Sequence, residues 1–192
     1  MLNDQSSLDA GCLQLIIGPM FSGKTTKLMN IALSYMRNGD SVLCITHESD
    51  TRYGHTRIIS HDKESIDAHA MPLLRDAFGL HEYTKCRYVC IEESQFFDDL
   101  VASVIKMVET DKKHVIVCGL DGTYERKPFA NIMELVPLAD TVEKLAGLCN
   151  VCGDRATFSK RLVESTGDIL VGGAEMYMNV CRKHYLVKNK TI

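Results

Sequence analysis

Residues 18 to 25 read Gly18-Pro19-Met20-Phe21-Ser22-Gly23-Lys24-Thr25, a G-x-x-x-x-G-K-T octet that calls for a strand, a tight loop and a helix in that order. The backbone N–H groups of such a loop surround the phosphates of a nucleotide. Its lysine reaches the β- and γ-phosphates and its threonine hydroxyl ligates Mg²⁺. The flanks agree. Leu13-Gln14-Leu15-Ile16-Ile17 is a short apolar segment suited to a buried parallel strand. Leu28, Ile31, Ala32 and Tyr35 follow at i, i+3, i+4 and i+7, the stripe of an amphipathic helix that Asn38-Gly39 stops. The N-terminus of that helix faces the loop, where its dipole favours an anion.

Downstream, Ser41 to Thr46, Arg87 to Ile91 and Val115 to Gly119 read as three more strands. Between the second and third lies a polar stretch from His47 to about Asp67, without periodicity, which reads as a loop carrying Asp50 and Arg52. Between the third and fourth, Phe97, Leu100, Val101, Val104, Ile105 and Val108 share one helical face. Strands alternating with helices in this way predict an α/β fold, a parallel sheet of the P-loop NTPase type flanked by helices. Ligands of such sheets bind beyond the carboxyl ends of the strands. The glycine loop, Asp50 and Arg52, Glu92 and Glu93, and Leu120-Asp121-Gly122 should therefore meet at one crevice.

Composition bounds the partners. The 192 residues are 45% apolar and 24% charged, ordinary for a globular protein, and the formal charge of −3 offers no basic field for a polyanion. No apolar run approaches the ~20 residues of a membrane span. Residues 1–11 are polar and carry no signal-peptide pattern, so they read as a disordered lead-in to a cytoplasmic protein. Nucleic-acid and membrane partners are therefore not expected.

Five of the eight cysteines are scattered, most in or beside apolar segments, whereas Cys149, Cys152 and Cys181 gather late in the chain. Cys149-Asn150-Val151-Cys152 and Cys181-Arg182-Lys183-His184 are two pairs of equal spacing with 28 residues between them. Three thiolates and an imidazole form a closed tetrahedral set for a structural Zn²⁺, with no position left for a catalytic water. Helical periodicity fades near Ala146-Gly147, which divides the chain into an α/β unit over 12–146 and a small unit over 147–192 that is too short for an apolar core of its own and calls for a staple.

Glu92 and Glu93 follow a strand where P-loop enzymes place a carboxylate that helps to hold Mg²⁺. Neighbouring strand positions face opposite ways, so one carboxylate should serve the metal and the other a substrate hydroxyl as general base. Arg52 is a candidate for neutralising phosphate charge.

Five motifs occur in the order seen in type II thymidine kinases: Gly18 to Thr25, Asp50-Thr51-Arg52-Tyr53, Glu93-Ser94-Gln95-Phe96-Phe97, Leu120-Asp121-Gly122-Thr123-Tyr124 and Arg126-Lys127-Pro128-Phe129. The two metal pairs, Ser159-Lys160-Arg161 and Val171-Gly172-Gly173-Ala174-Glu175-Met176-Tyr177 complete the set. From about Leu13 to His184 the chain resembles the cellular or poxviral branch of that family. The resemblance implies ATP-dependent phosphorylation of the 5′-hydroxyl of thymidine, and of deoxyuridine, with Glu93 as base. It implies that Asp50, Arg52, Glu92 and Gln95 join the glycine loop around ATP and Mg²⁺. Phe96, Leu120, Tyr124 and Ser159 are then expected near the nucleoside. Asp168, Ile169, Leu170, Val171, Gly172 and Tyr177 are expected there as well, in a zinc-stapled lasso closing over it. A homotetramer and feedback inhibition by dTTP are further implications. Glu92 stands where the family usually has aspartate, Ser94 where it has glycine, and His184 where many members have cysteine. The competing reading is a nucleic-acid-directed P-loop ATPase with a zinc ribbon, which the acidic balance and the lack of aromatic residues interleaved with basic ones oppose.

Overall fold

The computed structural model describes residues 10–50, 57–59, 64–163 and 173–187. In chain order the main body runs β1 (Cys12–Gly18), α1 (Lys24–Arg37), β2 (Val42–His47), β3 (Arg57–Ile59), β4 (Ser65–Asp67) and β5 (His69–Met71). It continues through α2 (His81–Lys85), β6 (Tyr88–Ile91), α3 (Leu100–Ile105), β7 (His114–Leu120), α4 (Ala130–Leu135) and β8 (Thr141–Lys144). Six strands form one sheet in the order β5-β2-β6-β7-β1-β8, every pairing parallel. This is the parallel sheet flanked by helices that the sequence predicts.

Alternation along each strand divides its side chains between two apolar layers. Leu13, Leu15, Ile17, Val89, Ile91, Val115 and Val117 pack on one face with Leu100 and Val104 of α3 and Ile132 and Leu135 of α4. Ile16, Cys44, Cys90, Ile116 and Cys118 pack on the other against Leu28, Met29 and Ala32 of α1. The scattered cysteines are thus free thiols, four of them buried, acting as small apolar groups. Helix α3 runs on into a π-helical turn at Lys106–Thr110.

Two edge strands and a hairpin go beyond the sequence reading. β5 has three residues, and β8 (Thr-Val-Glu-Lys) exposes most of its side chains, so neither carries the apolar pattern by which strands are recognised. The stretch expected to be a loop contains the antiparallel pair β3–β4, whose partners Ile58 and Ile66 are buried on the α1 side of the sheet. One buried residue per strand suffices because α1 and the central strands supply the rest of the layer.

Beyond the sheet, β9 (Gly147–Leu148) pairs with β10 (Arg155–Ala156), and β11 (Phe158–Arg161) with β12 (Tyr177–Val180), both antiparallel, before α5 (Arg182–Leu186). Among the described residues the apolar centre here is Cys149, Ala156 and Val180, edged by Phe158, Met178, Cys181 and Tyr185. Among the described residues no helix is long and apolar enough to cross a membrane.

Candidate functional site

The octet joins β1 to α1 as a loop over the carboxyl end of the sheet. Gly18 has φ 151°, and a Cβ there would lie 2.7 Å from the Leu145 carbonyl oxygen, so strand and loop can pass only with glycine. Gly23 caps α1 in the left-handed region, with open space where its Cβ would be. The fold thus aims the α1 N-terminus at a gap beside the loop, the geometry that suits a phosphate. Lys24 is only 9% exposed, and its Nζ donates to the Pro19 carbonyl at 2.7 Å. The Ser22 hydroxyl donates to the same oxygen at 2.8 Å. The lysine is folded back over the loop, poised to swing to an anion.

The strands of the six-stranded sheet being parallel, the end of β6 opens on the same side as the loop. The Thr25 hydroxyl donates to Glu92 Oε1 at 2.5 Å. Glu92 is 5% exposed, and its second oxygen, Oε2, is buried with no hydrogen-bond partner among the described residues. Burial first, and then the neighbouring Glu93 carboxylate, push Glu92 up to about 7, against the pull of the Cys118 thiol, the Thr25 hydrogen bond and the Lys24 charge. An orphaned carboxylate oxygen beside a threonine hydroxyl is the donor set that Mg²⁺ takes, so these residues fit that ion.

β6 ends at Ile91, and Glu93 itself has φ 50°. The two carboxylates therefore part company through a left-handed turn and not through strand alternation, as the sequence reading supposed. Gln95 fixes the outcome. Its Nε2 donates to Glu93 Oε2 at 2.6 Å, and its Oε1 accepts the Leu120 N–H at 3.0 Å. Glu93 is thereby referred to the end of β7, and Gln95, expected at ATP and Mg²⁺, is bound to the Glu93 carboxylate.

The substrate candidates fall in two places. Phe96 lies half-buried beside the His47 ring, centroids 5.8 Å apart, in the turn that carries Glu93. Tyr124 sits in the loop after β7, its ring 3.8 Å from the Arg161 guanidinium, and its carbonyl accepts the Tyr185 hydroxyl at 2.8 Å. Tyr177 is buried on β12, and its hydroxyl accepts from Arg161 Nη2 at 3.3 Å. Ser159, on β11, is buried and accepts the Met20 N–H at 3.0 Å, so its hydroxyl is engaged with the glycine loop. Asp50 follows β2 at the same end of the sheet, its N–H donating to the His47 carbonyl at 3.0 Å. Arg52 and residues 168–172 lie outside the described residues.

Cys149, Cys152, Cys181 and His184 place one ligand atom each within 4.8 Å of one another. Cys181 Sγ lies 3.3 Å and Cys149 Sγ 3.5 Å from His184 Nδ1, and Cys152 Sγ is 3.9 Å from Cys181 Sγ. Tetrahedral Zn²⁺ with ~2.3 Å bonds to sulfur sets its ligands about 3.5–3.8 Å apart, so the cluster is sized for that ion.

Two residues escaped the sequence reading as site residues. Arg161 links Tyr124 and Tyr177, and Asn179 donates from Nδ2 to the Phe21 carbonyl of the glycine loop at 3.1 Å. An asparagine two places before a metal ligand gives no signal of a partner 158 residues away.

Residues 11–185 match the family model for thymidine kinase. The chain is 40% identical over 194 aligned residues to thymidine kinase a of Arabidopsis thaliana, covering all of this chain and 82% of that protein. It is 41% identical over 180 residues to a thymidine kinase of Oryza sativa subsp. japonica, covering 92% of this chain and 66% of that protein. Against the thymidine kinase of vaccinia virus (strain Western Reserve) it is 42% identical over 179 residues, which cover 93% of this chain and 99% of the viral protein.

Proposed function

Because this chain belongs to the thymidine kinase family, we propose that it transfers the γ-phosphoryl group of ATP to the 5′-hydroxyl of thymidine, and of deoxyuridine, giving the 5′-monophosphate and ADP. The observation that carries the reading is the Thr25–Glu92 bond with Glu92 Oε2 left open, one residue from Glu93.

The loop N–H groups and Lys24 bind the β- and γ-phosphates, Lys24 exchanging the Pro19 carbonyl for phosphate oxygen. Thr25 and Glu92 would hold Mg²⁺, which when bound offsets the charge of the transferring group. Glu93 accepts the proton of the 5′-hydroxyl as its oxygen attacks the γ-phosphorus and the bond to ADP breaks. Gln95, through its amide on Glu93 Oε2, holds that carboxylate in place. Arg52 neutralises phosphate charge. Tyr124, Tyr177 and the segment from Asp168 to Gly172 enclose the nucleoside, and Zn²⁺ on Cys149, Cys152, Cys181 and His184 staples the unit over 147–192 that closes as a lasso. In this reading the enzyme is a cytoplasmic homotetramer of deoxyribonucleotide salvage, inhibited by dTTP. The test is ATP-dependent phosphorylation across a panel of nucleosides, nucleotides and single-stranded DNA. Turnover with thymidine supports the proposal. ATP hydrolysis stimulated by DNA and not by nucleosides would replace it with a nucleic-acid-directed ATPase.

A further inference from the structure

We propose that Asn179 is a positioning residue of the glycine loop, holding Phe21 in its nucleotide-binding conformation from the C-terminal segment. The inference rests on the reading of that loop as the ATP site.

Phe21 is the tip of the loop, 39% exposed, with φ 53°. A phenylalanine in the left-handed region is unfavourable and persists only where its surroundings impose it. Two hydrogen bonds bracket it. The Met20 N–H donates to Ser159 Oγ at 3.0 Å, and Asn179 Nδ2 donates to the Phe21 carbonyl at 3.1 Å. The Asn179 bond fixes the peptide plane that follows Phe21, the residue that carries the strain, and the Ser159 bond fixes the plane that precedes Met20. Their C-terminal partners form a single cross-strand pair, since Ser159 and Asn179 are register partners in β11–β12.

Asn179 is built for that reach. It is 2% exposed, and its backbone is pinned by the knuckle between the metal cysteines. Its N–H donates to Asn150 Oδ1 at 2.9 Å, and its carbonyl accepts the Asn150 N–H at 2.9 Å. The amide passes over Gly147, where a Cβ would come within 2.1 Å of Nδ2 and 2.8 Å of the Phe21 oxygen. A carbonyl only accepts, so the NH₂ group must face Phe21. That leaves Asn179 Oδ1 buried without a hydrogen-bond partner among the described residues. The glycine loop, not the segment that carries Asn179, orients the side chain. Metal binding at Cys149 and Cys181 is thus linked through Asn150 and Asn179 to the phosphate loop. Loss of Zn²⁺ should then weaken ATP binding as well as nucleoside binding.

The test compares the wild type with Asn179→Ala and Asn179→Asp. The readouts are zinc content, affinity for a non-hydrolysable ATP analogue by calorimetry, and separate KM and kcat values for ATP and thymidine. With zinc retained, Asn179→Ala should weaken the analogue roughly tenfold, the worth of one hydrogen bond. Asn179→Asp, which turns a carboxylate on the Phe21 carbonyl, should weaken it more. KM for ATP should rise while KM for thymidine stays put. Phe21→Gly in the Asn179→Ala background should recover part of the loss, because glycine takes the left-handed conformation without being held. Equal analogue affinity in wild type and variants overturns the inference. So does loss of zinc together with affinity, or no recovery with Phe21→Gly. A wild type that binds no ATP analogue would instead sink the ATP reading of the loop itself.

Discussion

Glu92→Gln should stabilise the metal-free protein at alkaline pH, although it damages the site. The carboxyl is 5% exposed and is pushed from 4.5 up to about 7 by burial and by Glu93. A raised value means that the folded state holds this proton more tightly than the unfolded chain does. Its contribution therefore favours folding fully below about pH 4.5 and is lost as the pH rises through about 7. At 1.36 kcal/mol per pH unit the displacement is worth on the order of 3 kcal/mol. Glutamine keeps the shape but cannot ionise. At pH 5 the variant should exceed the wild type by only about 1 kcal/mol. At pH 8 the variant should melt higher by about 6–12 °C, taking 2–4 °C per kcal/mol for a chain of this size. The assay is thermal unfolding of both proteins at both pH values in Mg²⁺-depleted buffer without a chelator, which would strip zinc. Added Mg²⁺ should raise the wild type toward the variant and leave the variant where it is. A gap of equal size at both pH values, or a variant less stable at pH 8, would refute the buried, unrelieved charge.

Three further outcomes are expected. Lys24→Ala should leave the melting temperature nearly unchanged but cost at least ~10²-fold in kcat, the usual worth of one electrostatic stabiliser of a transition state; near-normal turnover would remove the lysine from the chemistry. Glu93→Gln should lower kcat roughly 10²–10⁴-fold with little change in nucleoside binding, while Glu92→Gln should raise the Mg²⁺ requirement and be partly rescued by excess metal; side-by-side Mg²⁺ titrations that showed the reverse pattern would exchange the two roles. Elemental analysis should find about one Zn per chain, as a four-ligand site requires. Cys152→Ser should lose the metal together with both nucleoside and ATP affinity; a zinc-free but fully active protein would exclude the staple.

Much of this was legible along the chain because it is local. The glycine loop, the α1 stripe and the strands β1, β2, β6 and β7 are each set by residues within a few positions of one another. The Cys149/Cys152 and Cys181/His184 spacings state their own chemistry. Edge strands were not legible: β8 leaves Val142 exposed and offers no alternation, and β5 is three residues long. The hairpin β3–β4 hides its one buried pair, Ile58 and Ile66, inside a polar stretch.

Sequence alone determined that a glycine-rich octet between a strand and a helix, a carboxylate pair after a strand and two equally spaced Cys/His pairs were present, since each depends on residue types at fixed short spacings. Only the tertiary structure decided what those parts do to one another. The Thr25 hydroxyl meets Glu92 across 67 residues, and Glu93 is aimed by a left-handed turn and by Gln95 on the end of β7. Ser159 and Asn179 reach back from the C-terminal segment to Met20 and Phe21. Such contacts leave no periodic trace, because a hydrogen bond between distant segments constrains one atom on each side and nothing about the residues between them.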